Sequence, residues 1–233
     1  MPKKKERSII RRIMRWVWTL FLCLVVLSVL QVLSLRYIDP PFTTMMLVNR
    51  LFDRNETPHN WHLNTWRPLN EISPHLRRAV LAGEDQRFTS HRGFDFTEIN
   101  RAMRDMVMNG NVRGASTITM QAARTLFLWP ERSLLRKIVE AYYSLLMELL
   151  WSKERILEVY LNTVDWGNGI FGVEAASRAY YHASCSRISA FQAASLTAIL
   201  PNPHRWSPTR PTPFIVKRRR QILRDMRRMP LLR

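Results

Sequence analysis

The segment SPHLRRAVLAGEDQRF, residues 73–88, contains both a helix start signal and a pair of carboxylates. Ser73 followed by Pro74 is a helix start signal, because a serine caps the first turn and proline is tolerated at the first helical position. The small and apolar residues that follow recur at helical spacing: Leu76, Ala79, Val80 and Gly83. The stretch therefore predicts an amphipathic helix that leads directly into two adjacent carboxylates, Glu84 and Asp85.

Helical spacing also recurs along the rest of the chain. It predicts further helices over 45–52, 94–108, 153–162, 173–181 and 189–200, and others that begin near Thr117 and Ser133. One set of residues in the helix after Ser133 is expected to face the core: Leu134, Ile138, Ala141, Tyr142, Leu145 and Leu149. Ser189 and Gln192 stand at capping-box spacing. Because there is no hairpin signal, the sequence predicts a mostly α fold.

Residues 16–35, WVWTLFLCLVVLSVLQVLSL, form an apolar run of 20 residues without a charge. At about 1.5 Å per residue the run spans roughly 30 Å, the hydrocarbon thickness of a bilayer. Seven basic side chains precede it, so the positive-inside rule places the N-terminus in the cytoplasm and the chain after Arg36 outside. The alternative is a cleaved signal peptide, but its apolar part is usually shorter and ends at small residues. We therefore expect an uncleaved, single-pass transmembrane helix.

The net charge of +18 lies at the two ends of the chain. Residues 1–15 carry +6 and residues 205–233 carry +9, which leaves +3 for residues 16–204. Outside the cytoplasm and beside a membrane, anionic lipid head groups or a phosphate-bearing lipid are the expected partners, and nucleic acid is not. A weakly amphipathic spacing near the C-terminus leaves two interpretations open, a helix at the membrane surface or a solvated helix: Ile215, Arg219, Ile222, Leu223 and Met226.

Several hydrolytic sites are excluded by their motifs. The sequence contains no H-E-x-x-H, no G-x-S-x-G and no Ser-x-x-Lys, so no zinc protease site, hydrolase elbow or penicillin-binding acyl-enzyme site is encoded. Its two cysteines, Cys23 and Cys185, cannot make a disulfide framework or a zinc site. The chemistry must therefore come from carboxylates, hydroxyls and cations.

Three groups of residues are candidates for that chemistry. Glu84 follows an apolar helix and precedes Phe88, so it is either a partly buried base with a raised pKa or an ordinary surface acid. The hydroxyl-rich start of the helix at 114–121, GASTITMQ, either meets an anion with its backbone N–H groups or is a simple cap. Arg136, Lys137 and Glu140 share a helix face, which is either a solvated ion-paired face or a set of cations around an anionic substrate.

Four segments, in this order and spacing, resemble the main motifs of the family 51 glycosyltransferases: EDQRFTSHRG (84–93), GASTITMQAAR (114–124), RKIVE (136–140) and KERILEVYLN (153–162). The resemblance runs from about Leu69 to Pro208. It implies a lysozyme-like large lobe with a small membrane-facing lobe, and peptidoglycan glycosyltransferase activity on lipid II. The single anchor and the lack of a transpeptidase domain resemble the monofunctional members of that family.

The resemblance also implies roles for individual residues. Glu84 corresponds to the general base and Glu140 to the second acid lining the cleft. The residues implied in substrate binding are Ser116, Thr117, Gln121, Arg124, Arg132, Arg136 and Lys137. Those implied in shaping the cleft are Lys153, Glu158, Tyr160 and Asn162. The sequence departs from the family pattern at Met120, usually glutamine, and at Gln192, commonly glutamate.

Chemistry separates a polymerase from a wall-cleaving hydrolase. Hydrolysis needs a general acid on the leaving alkoxide, whereas a lipid diphosphate leaves as a stabilised anion and needs cations or a metal ion. The cations beside Glu84 and Glu140 favour polymerisation of lipid II into β-1,4-linked strands, with inversion and release of polyprenyl diphosphate. No tightly bound cofactor is expected, and a divalent cation, Mg²⁺ or Mn²⁺, is an open alternative at the donor diphosphate. A non-catalytic scaffold for other wall-synthesis proteins is the third interpretation.

These expectations divide the chain into five parts: a basic cytoplasmic N-terminus (1–15), a transmembrane helix (16–35), a connection (36–68), a glycosyltransferase domain (69–208) and a basic C-terminal tail (209–233). The expected location is the inner membrane, with the catalytic domain in the periplasm. The expected partners are lipid II, the growing glycan chain, the membrane itself and proteins of cell-wall synthesis or division.

Overall fold

A computed structural model describes residues 3–52, 65–110, 114–131, 133–167 and 169–232. The described residues form ten α-helices: α1 (Lys3–Leu35), α2 (Thr44–Phe52), α3 (Pro74–Glu84), α4 (Phe96–Asn109), α5 (Ile118–Phe127), α6 (Leu134–Leu150), α7 (Lys153–Thr163), α8 (Val173–Tyr181), α9 (Ala190–Ile199) and α10 (Pro213–Asp225). Their only β feature is an isolated bridge between Asp165 and Phe171. The mostly α fold predicted from the sequence is confirmed.

The chain divides into two compact units, one up to Ile38 and one from Asp39 onward. The first unit consists mainly of α1. Among the described helices, α1 is the one long and apolar enough to cross a membrane, over Ile9–Leu35. Most of its large apolar side chains, such as Trp16 and Leu20, are exposed, so this helix has an apolar surface around most of its circumference. The connection expected at 36–68 contains α2, and its residues 53–64 lie outside the described residues.

Helix α3 begins as the sequence predicts. Ser73 accepts a hydrogen bond from the backbone N–H of His75, and Pro74 is the first helical residue. The Ser73 hydroxyl also donates to the backbone carbonyl of Ile188 at 2.8 Å, which ties the start of α3 to the segment before α9. The inner face of the helix is fully buried: Leu76, Ala79, Val80 and Leu81.

Gly83 explains how other helices approach the end of α3. A Cβ atom at this position would lie 2.5 Å from Cγ2 of Thr197 and 3.3 Å from Cδ1 of Ile222. Only glycine allows α9 and α10 to pack so closely at this point. The residue therefore brings α10 beside the carboxylate that follows, Glu84.

Helix α10 corrects the expected division of the chain. Thr212 caps it by accepting the backbone N–H of Ile215, and Pro213 is its first residue. Ile215 and Ile222 are buried, and α10 packs against α3 and α9. Helix α10 packs here because every residue of α9 over 193–199 is buried, which requires neighbouring elements on more than one side of α9. Residues 209–233 are therefore not a separate tail, and the apolar stripe of α10 faces the domain rather than a membrane or solvent.

Helix α6 turns the opposite face inward from the one predicted. Ser133 caps it as expected, by accepting the backbone N–H of Arg136. The predicted core stripe is nevertheless exposed, with 48–80% exposure at four of its members: Leu134, Ile138, Leu145 and Leu149. The buried positions are Arg136, Glu140, Ser144 and Met147. A polar face can be buried here because Glu140 is paired with two cations, which offsets the cost of removing a charge from water.

Helix α4 begins two residues later than predicted because Asp95 caps it. The Asp95 carboxylate accepts the backbone N–H groups of Thr97 and Glu98, so regular helix starts at Phe96. None of its described residues is fully buried. Its large exposed apolar side chains are Phe96, Met103, Met106, Val107 and Met108.

Candidate active site

A cavity of about 710 Å³ lies beside the end of α3. Its walls come from the end of α3, the segment before α5, α5 itself, the start of α4 and α10. The polar side chains that line it are Glu84, Asp85, Gln86, Arg87, Asp95, Glu98, Arg101, Ser116, Thr117, Gln121, Arg124, Arg218 and Gln221. A concave site with convergent charged groups of both signs and few apolar ones suits a polar substrate.

Glu84 lines this cavity at the end of α3, and its side chain is 10% exposed. The amide of Gln121 donates to its Oε2 at 3.0 Å, and the guanidinium of Arg218 donates to its Oε1 at 3.0 Å. Burial raises the pKa of Glu84, while the hydrogen bond from Gln121 and the charge of Arg218 oppose part of that rise. A carboxylate with a raised pKa, exposed to a cavity, is suited to accept a proton from a substrate.

Tyr160 fixes the orientation of Gln121. Its hydroxyl donates to Oε1 of Gln121 at 3.2 Å, so the amide nitrogen is the group that points to Glu84. Tyr160 is fully buried, and burial raises the pKa of its hydroxyl well above the usual value. The phenol is therefore protonated at neutral pH and serves as a lasting donor at the far end of this chain of hydrogen bonds.

Asp85 ties the 84–93 segment to the start of α5. Its carboxylate lies 2.9 and 3.0 Å from Nε2 of His91 and accepts the backbone N–H of Ile118 at 3.1 Å. One residue earlier, the Thr117 hydroxyl donates to the backbone carbonyl of Gly93 at 2.6 Å. These two links hold the small, hydroxylated segment 114–117 at the edge of the cavity.

The segment 153–162 supports the site from behind. Lys153 lies 2.7 Å from Glu148 and 4.3 Å from the centre of the Phe88 ring. Glu158 accepts the backbone N–H of Leu69 at 2.7 Å. The Asn162 side chain likewise hydrogen-bonds the backbone at position 67, as both donor and acceptor. Neither Lys153 nor Glu158 lines the described cavity, so their contacts hold the surrounding elements in place.

The structure brings together five of the residues that the resemblance implied: Glu84, Ser116, Thr117, Gln121 and Arg124. It separates three others from the described cavity wall: Arg136, Lys137 and Glu140. Glu140 is fully buried, 3.0 Å from Arg136 and 2.6 Å from Lys137. Glu140 is not among the residues that line this cavity, so its role as the second acid of the cleft stays a prediction. Arg132 lies outside the described residues.

Four arginines line the cavity, and three of them are ion-paired. Arg87 lies 3.4 Å from Asp95, Arg101 pairs with Glu98, and Arg218 pairs with Glu84. The side chain of Arg124, on α5, makes no hydrogen bond or ion pair with other described residues, and Arg124 is half-buried. It is therefore the cation of this wall that is ready for an anionic ligand.

The sequence interpretation missed Arg87, Arg101 and Arg218 as cavity residues. Arg218 stands within a run of four basic residues, 217–220, which indicated only a charged tail. No local signal distinguishes it from its neighbours, because its contact with Glu84 joins positions 134 residues apart.

Neither of the two residues that depart from the family pattern lines the cavity. Met120 is buried in α5, where it contributes to the core. Gln192 completes the capping box of α9: its side chain accepts the backbone N–H of Ser189, and its own N–H is bonded to the Ser189 hydroxyl. Met120 therefore contributes to core packing, and Gln192 contributes to the N-terminal cap of α9.

One group of metal-ligand side chains occurs within the described ranges: Asp85, His91 and Asp95, whose ligand atoms lie within 4.8 Å of one another. These atoms are already used by the fold. Both oxygens of Asp85 contact His91, and Asp95 accepts the N–H of Thr97 at the start of α4. Arg87 also places a positive charge 3.4 Å from Asp95. The group therefore does not fit the divalent cation expected at the donor diphosphate, and that cation stays a prediction.

A largely buried carboxylate with a raised pKa, in a cavity lined by arginines and other carboxylates, is a candidate catalytic group. Comparison with known proteins identifies the enzyme family. The model of the family described as Transglycosylase matches residues 52–227, and so includes α10. The chain belongs to the transglycosylase family, and it is an enzyme of glycosyl transfer.

Similar proteins cover almost the whole chain. A biosynthetic peptidoglycan transglycosylase of Chromohalobacter salexigens is 46% identical over 224 residues, which are 96% of this chain and 95% of that protein. A protein of the same name from Pseudomonas syringae is 43% identical over 226 residues, 96% of this chain and 93% of its own length. Another, from Shewanella oneidensis, is 43% identical over 220 residues, 94% of each chain.

Proposed function

We propose that this enzyme polymerises lipid II into β-1,4-linked glycan strands, with inversion at the donor carbon and release of polyprenyl diphosphate. The observation that carries the proposal is the position of Glu84, largely buried yet exposed to a cavity that also contains Arg124. The names of the similar proteins support the same substrate class.

On the acceptor side, Glu84 takes the proton of the sugar 4-hydroxyl. The hydroxyl oxygen forms a bond to the anomeric carbon of the donor as the bond from that carbon to the diphosphate breaks. Gln121 donates to one oxygen of the Glu84 carboxylate and Arg218 donates to the other. The base therefore has a fixed orientation before the substrate arrives. Attack opposite an α-linked diphosphate gives the β linkage.

On the donor side, the diphosphate leaves as an anion and needs positive charge but no proton. Arg124 supplies that charge from the cavity wall, since its guanidinium has no hydrogen-bond or ion-pair partner among the described residues. A hydrolase would instead need an acid to protonate a leaving alkoxide. The pairing of an acceptor base with such an arginine therefore favours transfer from a diphosphate over cleavage of a glycan.

Arg132, Arg136 and Lys137 stay predictions as further contacts of the donor. Within α6, Arg136 is 11% exposed and Lys137 is 44% exposed. Lys137 can therefore move toward a phosphate at a lower desolvation cost than Arg136. We assign Glu140 the role of a counter-charge that holds both cations, rather than that of a proton acceptor.

The substrate of this reaction is held in a bilayer by its polyprenyl chain. Helix α1 suits an anchor in the inner membrane, with the N-terminus in the cytoplasm and residues 36–233 in the periplasm. The exposed apolar side chains of α4 and α6 suit a lobe that faces lipid, and lipid would explain why the apolar stripe of α6 points outward. Proteins of cell-wall synthesis or division remain expected partners.

The proposal is tested with purified full-length protein in detergent and labelled lipid II. A polymer that muramidase digests to disaccharide units is the expected product, and the Glu84→Gln variant is the control that should lack it. If the folded wild-type protein yields no polymer, or instead shortens purified glycan strands, the proposed function is wrong. The same assay with EDTA and with added Mg²⁺ or Mn²⁺ measures the cation requirement.

A further inference from the structure

Arg218 of α10 contacts the proposed base directly. One guanidinium nitrogen, Nη2, donates both to the Gly83 carbonyl at 2.9 Å and to Oε1 of Glu84 at 3.0 Å. The side chain is 27% exposed and lines the cavity. It therefore joins the main chain at Gly83 to the Glu84 carboxylate at the cavity wall.

The packing of α10 fixes the position of this arginine. Ile215 and Ile222, three residues before and four residues after Arg218, are both buried. Cδ1 of Ile222 lies only 3.3 Å from the point where a side chain at Gly83 would begin, so the contact between α3 and α10 leaves little freedom. Arg218 and Glu84 are thus presented to each other by two helices in close contact.

We infer that Arg218 is a positioning residue for the reaction: its contact with Oε1 orients the Glu84 carboxylate for proton acceptance. The inference rests on the proposed function. It assigns a task to a helix that lies outside the four motifs and that the sequence interpretation treated as a tail. Oε2 remains the oxygen held by Gln121, so the two contacts fix both rotation and tilt of the carboxylate.

The groups around Glu84 give the expected sign of a pH effect. Arg218 comes from α10, Tyr160 from α7, and Asp85 is the next residue in the chain; Arg124 of α5 lines the same cavity. Helix α9 contributes no charged side chain. Arg218 lowers the pKa of Glu84, and Asp85 and burial raise it. Loss of Arg218 should therefore raise the pKa, so that a higher pH is needed to ionise the base.

The experiment compares Arg218→Gln with Arg220→Gln in full-length protein. Arg220 is exposed on the same helix, so its variant removes the same charge from the chain without touching Glu84. The profile of kcat/KM for lipid II polymerisation is measured from about pH 5 to pH 9, with a melting curve for each variant. We expect the acidic limb to move up by about one pH unit in Arg218→Gln, which is about tenfold in rate below the midpoint. Arg220→Gln should follow the wild-type limb.

Arg218→Lys is the rescue variant, because it restores a positive charge on a different side-chain shape. It should return the acidic limb toward the wild-type midpoint even where the plateau rate stays low. An unmoved limb in a folded Arg218→Gln protein would overturn the inference. A raised KM with an unmoved limb would instead make Arg218 a substrate contact, and a lowered melting temperature with an unmoved limb would make it structural. A wild-type protein without polymerase activity would refute the proposed function itself.

Discussion

Replacing Arg124 by alanine should remove most of the turnover without weakening the fold. The side chain lines the cavity and has no hydrogen-bond or ion-pair partner among the described residues, so its loss leaves no buried charge unpaired. The change in unfolding free energy should stay within about 0.5 kcal/mol, as for a substitution outside the packed core. Loss of a charge contact that forms on the leaving diphosphate should lower kcat by about 10²–10³-fold.

Arg136→Ala is the matched comparison, since both arginines were expected to contact the donor. The Arg136 guanidinium lies 3.0 Å from the fully buried carboxylate of Glu140. In the Arg136→Ala variant, that carboxylate would keep only Lys137 as an ion-pair partner. Removing one partner of a buried carboxylate should lower the unfolding free energy by about 2–3 kcal/mol, below the usual cost of breaking a buried pair because Lys137 remains. The two variants should therefore separate activity from stability.

The assay measures initial polymerisation rates on labelled lipid II and urea unfolding of the same preparations. Arg124→Lys should retain most activity, because it keeps a positive charge at the same place in the cavity wall. A wild-type polymerisation rate in Arg124→Ala would show that Arg124 does not stabilise the leaving diphosphate. An unchanged urea midpoint in Arg136→Ala would show that the buried Glu140 does not depend on its pair with Arg136.

Particular contacts elsewhere in the molecule give three further predictions. Gly83→Ala should destabilise the domain by about 1–3 kcal/mol in urea unfolding, because its Cβ would meet Thr197 at 2.5 Å, and an unchanged midpoint would contradict this packing. Tyr160→Phe should slow polymerisation by about 5–10-fold, since one hydrogen bond of about 1 kcal/mol no longer orients Gln121. An unchanged rate would show that the Tyr160 hydroxyl does not contribute to the reaction. Protease added to spheroplasts should digest residues 36–233, and protection of an intact domain would exclude the proposed orientation.

Much of the helical framework could be predicted because its signals are local. Ser73, Ser133 and Ser189 each cap the helix that the sequence assigned to them. The residues near Glu84 were also predictable in kind, since the 84–93 and 114–124 segments resemble family motifs and supply adjoining parts of one wall. Caps and motifs depend on neighbours in the chain, which a sequence displays directly.

The orientation of α6 could not be predicted from its apolar spacing. Periodicity identifies the residues that share a face, but it does not say whether that face meets the core or another apolar medium. Here the inward face carries Glu140 with Arg136, and their mutual pairing is what makes burial possible. A contact such as Arg218 to Glu84 was inaccessible for a different reason, because it depends on the packing of two helices distant in sequence.

The most direct test of the central claim is the polymerisation rate of Glu84→Gln at saturating lipid II, with lipid II binding measured separately. Glutamine keeps the size and polarity of the side chain but cannot accept the acceptor proton. We expect a fall in rate of about 10²–10⁴-fold, the usual contribution of a general base, with binding retained. A Glu84→Gln protein that polymerises lipid II at close to the wild-type rate would show that Glu84 is not the base.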